Sequence, residues 1–374
     1  MLLKRWPQRG LAVLLLAASA AFAMPTVAQS RFDVFTISPV PVDVTAANAS
    51  AARDQALAEG EKRAFQMLIE RLTLANSRNR VPRPSAAQLN DLVQGFEVAN
   101  ERRSGVRYIA QYSFRFRPDA VRQLLTGAGV AFAETASKPL VVLAVFHDED
   151  GRTVLWEDPN PWRDAWARAK LPLGLVPLVI PLGEIDDVAA IDADGATRGD
   201  DARLQALSQR YEGDDVLVTQ ATLMHGVLHG VNVQTTRYTP GNPGSSQSWT
   251  AATMEKPGGE NDPDLMARAA AETMARVEEA WKVANILDPR QSGTLIVRVP
   301  AASLGDWIAV RDRLTGIPAV RSSQLVALDR DGARVEIHYL GDPAQLRLAL
   351  GQRDLELGGS DPDWILRQRA DARR

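Results

Sequence analysis

Apolar residues along this chain keep changing their period, and the places where the period changes limit the folds open to it. In residues 107–116, Tyr108, Ala110, Tyr112, Phe114 and Phe116 share one side while Arg107, Gln111, Ser113 and Arg115 share the other. That alternation marks a strand with one buried face. Upstream, in residues 48–73, Ala56, Ala64, Leu68 and Leu72 recur at multiples of four, with Leu57 and Met67 alongside, which is the stripe of an amphipathic helix. Ser85 offers the N-cap of a short second helix, Ser104-Gly105 the turn of a hairpin, and residues 119–129 a helix stopped by glycine. One layer of helices on a small antiparallel sheet buries all of these faces economically, giving an N-terminal α+β domain over residues 29–136.

Residues 137–287 read differently. An apolar run at 138–146 is followed by a strand at 153–156, a helix at 161–171, a strand at 175–184, a helix at 200–212 and a strand at 214–224. Strands alternating with helices imply parallel pairing. Two further strands, at 231–239 and 245–254, look like antiparallel additions, and a long helix over 262–286 closes the region as a mixed α/β sheet. The acidic stretch 183–201 reads as an exposed loop. In residues 288–374 the order is strand 293–300, helix 303–317, a hairpin of 320–332 and 333–341 around Asp331-Gly332, helix 342–353 and a final short strand 354–357. That βαββαβ order is the ferredoxin-like split motif. It serves many functions and implies none.

The chain opens with a basic segment holding Lys4, Arg5 and Arg9, an apolar run at 11–23 and small residues beyond it, in the order a secretory leader requires. Ala23 and Ala28 are both suitable cleavage points, Ala28 the preferred one, so residues 1–28 are expected to be a signal peptide and the mature chain periplasmic. The run at 11–23 falls short of the ~20 residues that a retained anchor needs. There is no cysteine, hence no disulfide, no lipidation site near the cleavage region, no thiolate nucleophile and no thiolate zinc ligand. The net charge is −3 and becomes more negative without the three basic residues of the leader, which argues against nucleic acid as a partner. The arginines of the closing segment 364–374 read as a basic frayed tail.

The sharpest local feature lies in residues 154–170, where Trp156, Trp162 and Trp166 fall together in a chain with 8 tryptophans. Asn160 is a good N-cap and Pro161 suits the first helical position, so a helix should start there with Trp162 and Trp166 one turn apart on its core-facing side. Trp156 instead ends a strand and precedes Glu157, Asp158 and Pro159 in a proline-stiffened turn. Turns at the carboxyl ends of strands are where open α/β sheets tend to bind ligands, which makes Trp156, Glu157, Asp158 and Asn160 the candidate ligand or partner site. The plainer reading is that the acids favour the helix dipole.

His225 and His229 are a weaker metal candidate, because Gly226 and Gly230 discourage the helix that would align them and no third ligand is evident. Rings flanking a turn fit better. His147–Arg152 reads as a solvated turn, and Asp214 and Asp215, adjacent in a strand, should point to opposite faces. No serine elbow, phosphate cradle or zinc-hydrolase motif is present in the sequence, and none implies a cofactor.

The Ala-rich first helix, the 138–146 strand KPLVVLAVF, the turn LWEDPNPW, the strand LVIPLGE and the segment YLGDPAQLRLAL together resemble a bacterial family of exported proteins, the domain of unknown function 2066, across nearly the whole mature chain. That resemblance implies no activity. By element order and GDDVLVTQATL, the middle region also resembles the amino-terminal domain of the TolB envelope protein, an analogy of fold. The expectation is an exported, non-enzymatic protein that binds or assembles with an envelope protein or other envelope component. The alternative is a hydrolase or transferase acting on such a component at the Trp156 turn.

Overall fold

In the computed structural model, which describes residues 33–369 apart from 149, 170, 172–173, 226–228, 289–290, 302 and 330–331, the chain builds three sheets, one of three, one of six and one of five strands. The expected leader lies outside the described residues. The first region holds β1 (Thr36–Thr45), α1 (Ala49–Leu72), α2 (Ala86–Leu92), β2 (Val93–Arg103), β3 (Arg107–Phe116) and α3 (Pro118–Gly127). Its sheet is antiparallel in the order β1-β3-β2. The alternation in β3 is realised: all five residues of the expected inner face are buried, against Ala56, Ala64, Leu68 and Leu72 of α1. Asn48 caps α1 by accepting from Ala51 N at 2.9 Å, and Ser85 with Gln88 forms a reciprocal capping box on α2. Gly60 lets α1 approach the sheet, since a Cβ there would press on the rings of Tyr112 and Phe114 at 3.2 and 3.3 Å.

The second region comprises β4 (Leu140–His147), β5 (Thr153–Val154), α4 (Pro161–Arg168), β6 (Leu178–Val179), α5 (Ile185–Ala190), α6 (Ala193–Arg198), α7 (Asp201–Arg210), β7 (Asp215–His225), β8 (His229–Tyr238), β9 (Gln247–Glu255) and α8 (Asp262–Asn285). The order is β5-β4-β7-β8-β9, with β6 also on β4. β4 pairs in parallel with β6 and β7, whereas β8 and β9 are antiparallel additions, as expected. Both faces of β4 are buried. Leu140, Val142 and Ala144 meet α4 and α8, while Val141, Leu143 and Val145 meet α7. A strand covered twice cannot alternate, which explains the unbroken apolar run.

Three expectations here are corrected. The strand at 153–156 is only Thr153–Val154 and runs antiparallel to β4, and that at 175–184 shrinks to Leu178–Val179. The acidic stretch is not an exposed loop: it folds as α5 and α6, with Asp187 wholly buried and accepting from the Tyr211 hydroxyl at 2.8 and 2.9 Å.

The third region holds β10 (Ser292–Val299), α9 (Leu304–Leu314), β11 (Val320–Asp329), β12 (Gly332–Leu340), α10 (Pro343–Gly351), β13 (Leu355–Gly358) and β14 (Trp364–Gln368). The βαββαβ order is present, but the sheet runs β11-β12-β10-β14-β13. β13 does not flank β10. The chain turns back after it, and β14 inserts between the two, parallel to β10 and antiparallel to β13. This part of the expected frayed tail is a strand because Leu366 is wholly buried in the core under α9 and α10, and Arg369 reaches Asp214 at 3.0 Å.

The residues from Val34 onward form one compact unit. Helix α8 joins its parts. Buried Glu278 accepts from Leu175 N and Val176 N at 3.0 and 2.9 Å, and buried Lys282 donates to Glu70 O and Thr73 O at the end of α1, at 3.1 and 2.9 Å. Burial pushes the Glu278 carboxyl up and the Lys282 ammonium down from their ordinary ranges. Lys138 bridges onward to Asp214 at 3.2 Å and Asp354 at 2.6 Å. Among the described residues, no helix is long and apolar enough to cross a membrane.

Candidate functional site

The turn that follows β5 is organised by its own side chains. Asn160 has no solvent exposure and uses its whole amide: Oδ1 accepts from Trp162 N and Arg163 N at 3.1 and 3.0 Å, and Nδ2 donates to Ala144 O and Leu155 O at 2.9 and 3.0 Å. It therefore caps α4 and pins the turn to β4. Glu157 folds back so that Oε2 accepts from Leu155 N and Trp156 N at 3.1 and 3.2 Å. Its own backbone N–H, together with these two, holds the carboxyl below the usual range. Asp158 is exposed and pairs with Arg163, which also donates to Trp156 O at 2.8 Å.

Trp156 is half-buried, its Nε1 donating to Ile191 O at 2.6 Å. Its ring lies against Gly183, whose left-handed backbone (φ 79°) and missing side chain leave the ring just enough room. The four residues named from the sequence are thus brought together, but their polar atoms serve the turn. Trp162 and Trp166 are core, as expected. Their rings meet edge to face at 5.8 Å, and Trp162 Nε1 donates to Thr219 Oγ1 at 2.9 Å.

Sequence reasoning passed over the neighbours of Gly183. Leu182 is 79% exposed, Ile185 88% and Val188 49%, an aliphatic group next in sequence to the segment that backs Trp156. The signal was present: in LGEIDDV, aliphatics at three-residue spacings are interleaved with acids, and reading the acids alone hid them. The flanking carboxylates of Glu184 and Asp186 are held by Arg210 at 3.2 and 2.6 Å.

His225 and His229 sit directly opposite one another on β7 and β8, with ring centroids 6.1 Å apart; the residues between them lie outside the described residues. His225 Nε2 lies 3.5 Å from Asp262, whose carboxyl is held low first by Lys256 and then by His225. Among the described residues, no group of three or more His, Cys, Asp or Glu is placed to hold a metal ion. His147 is engaged by Thr153 and Gln220, each at 3.0 Å, and Asp215 pairs with Arg237 while Asp214 turns to Lys138.

No family model matches the chain, and no curated protein does. Among solved structures, a formyltetrahydrofolate deformylase from Pseudomonas putida KT2440 aligns at 12% identity, over 64% of this chain and 91% of its own, with a TM-score of 0.15. A likeness that slight carries no argument about function. The turn's own chemistry does: it offers a rigid indole beside exposed aliphatic side chains, and its two carboxylates are already engaged.

Proposed function

We propose that this chain is an exported, non-enzymatic binding or assembly protein of the envelope, and that it meets its partner through the surface beside Trp156. The observation that carries the reading is the exposure of Leu182 and Ile185, 79% and 88%, next to a turn whose polar groups are already satisfied. Exposed aliphatic side chains in the segment that lies against an aromatic ring are the composition of a contact surface. The leader-like first residues and the resemblance to an exported family support the envelope setting. A hydrolase or transferase at the same turn would need reactive groups free to move protons, whereas Glu157 is held ionised by backbone donors and Asp158 is paired with Arg163.

Photo-crosslinking from position 185 in living cells tests this reading. A discrete adduct from residue 185 that is lost in Leu182→Asp, with none from a control probe on the exposed face of β11, is the expected result. Equal labelling from both positions, or recovery of an uncleaved chain in the cytosol, would sink the reading.

A further inference from the structure

The sheet of the third region has helices on one face only. Leu295, Val297, Val335 and Ile337 point to α9 and α10, so alternation sends Thr294, Ile296 and Arg298 of β10, and Arg334, Glu336 and His338 of β12, to the other side. On that open face Arg298 lies directly opposite Arg334, a like-charge cross-strand pair that costs stability. Among the described residues neither has an ion-pair partner. The face therefore carries two arginines without a carboxylate partner, with Glu336 turned to His338 instead.

Four residues along β12, where Thr294 faces His338, the surface dips into a hollow of about 390 Å³ between β10, β11 and β12. Ser292, Thr294, Arg321 and His338 line it. Arg321 sits where the β11 register slips, Val320 pairing with Tyr339 and Ser322 with His338, and such a bulge re-aims a side chain. Its guanidinium makes no hydrogen bond or ion pair with the described residues. His338 is oriented from both ends, Nδ1 at 2.9 Å from Thr294 Oγ1 and Nε2 at 3.4 Å from Glu336. At its floor residue 293 is glycine, which leaves room for the Tyr339 phenol, since any Cβ there would collide with its hydroxyl.

We infer that this hollow binds a phosphate group. A tetrahedral oxyanion presents several acceptor oxygens; among the described residues the Arg321 guanidinium and the Ser292 hydroxyl are the uncommitted donors at the hollow, and His338 with Thr294 adds to them once the imidazole gives up Glu336 to the anion. The volume suits one such group with the atoms next to it. Arg298 and Arg334 raise the local concentration of anions along the approach. Either a soluble phosphate compound or the headgroup of an anionic lipid supplies this chemistry. The site is separate from the Trp156 surface and does not depend on the role given to it.

The test uses the full mature chain. It has only 4 histidines, so imidazole NMR signals can be assigned with His338→Gln and followed during titration with inorganic phosphate at constant ionic strength, using chloride as the control. A parallel arm measures sedimentation with vesicles of phosphatidylglycerol in phosphatidylcholine against phosphatidylcholine alone. The expected result is saturable binding in at least one arm, weakened about tenfold by Arg321→Gln and less by Arg321→Lys, as for loss of a charged hydrogen-bonding partner. Binding of phosphate alone points to a soluble ligand; binding of the vesicles alone points to a headgroup. No saturable binding in either arm, equal displacement by chloride, or full affinity in Arg321→Gln overturns the inference. Arg321 is exposed, so a matching circular dichroism spectrum confirms that the variant is folded.

Discussion

Asn160→Asp is the sharpest test of how the Trp156 turn is built. At an exposed helix start, Asn and Asp are nearly equivalent N-caps. Here they should not be. Oδ1 accepts from two backbone N–H groups and Nδ2 donates to Ala144 O and Leu155 O at 2.9 and 3.0 Å, all with no solvent exposure. Asp preserves the cap but sets an anionic oxygen against two carbonyl oxygens in a dry site, so it either bears the repulsion or takes up a proton. Asn160→Ala loses the cap, about 1 kcal/mol, and leaves two carbonyls short of a donor at about 1 kcal/mol each, roughly 3 kcal/mol together. Asn160→Asp should cost at least as much at neutral pH, and its deficit should shrink as the pH is lowered and the introduced carboxyl protonates. Urea unfolding followed by tryptophan fluorescence and by circular dichroism measures both variants. An Asn160→Asp protein within about 0.5 kcal/mol of wild type, a change too small for a lost buried network, would refute the assigned donors.

Two further outcomes follow from the core and from the α8 joint. Trp162→Phe removes the donor to Thr219 and part of a wholly buried ring, and should lower unfolding stability by about 1–3 kcal/mol; an unchanged urea midpoint would mean the indole N–H contributes nothing. Because burial raises the Glu278 carboxyl, the folded chain holds that proton more tightly than the unfolded one. The stabilisation this brings is fully present below the unfolded carboxyl range (midpoint ~4.3) and is lost as pH rises through the folded value. Wild type should therefore lose stability relative to Glu278→Gln across that rise, as measured by urea midpoints at several pH values; a gap moving the other way would contradict the assignment.

For most elements, that they form and which side they bury was written locally. The period of two in β3, the multiples of four in α1, the caps at Ser85 and Asn160, and the burial of Trp162 and Trp166 need only near neighbours in the chain to be read. The grouping of Trp156, Glu157, Asp158 and Asn160 was legible for the same reason, since all four lie in one turn. Their condition was not: Trp156 bonds to a carbonyl 35 residues on, Trp162 to one 57 residues on, and the backbone of Leu175 to a carboxylate 103 residues on. The insertion of β14 beside β10, the shortening of β5 and β6, and the folding of the acidic stretch around Asp187 and Tyr211 likewise depend on distant partners. Local sequence sets the face that an element must hide. Which strand lies next to which, and whether a polar atom in a turn is spent or free, is decided only when remote parts of the chain compete for the same buried space, and that competition has no signature in any short window of residues.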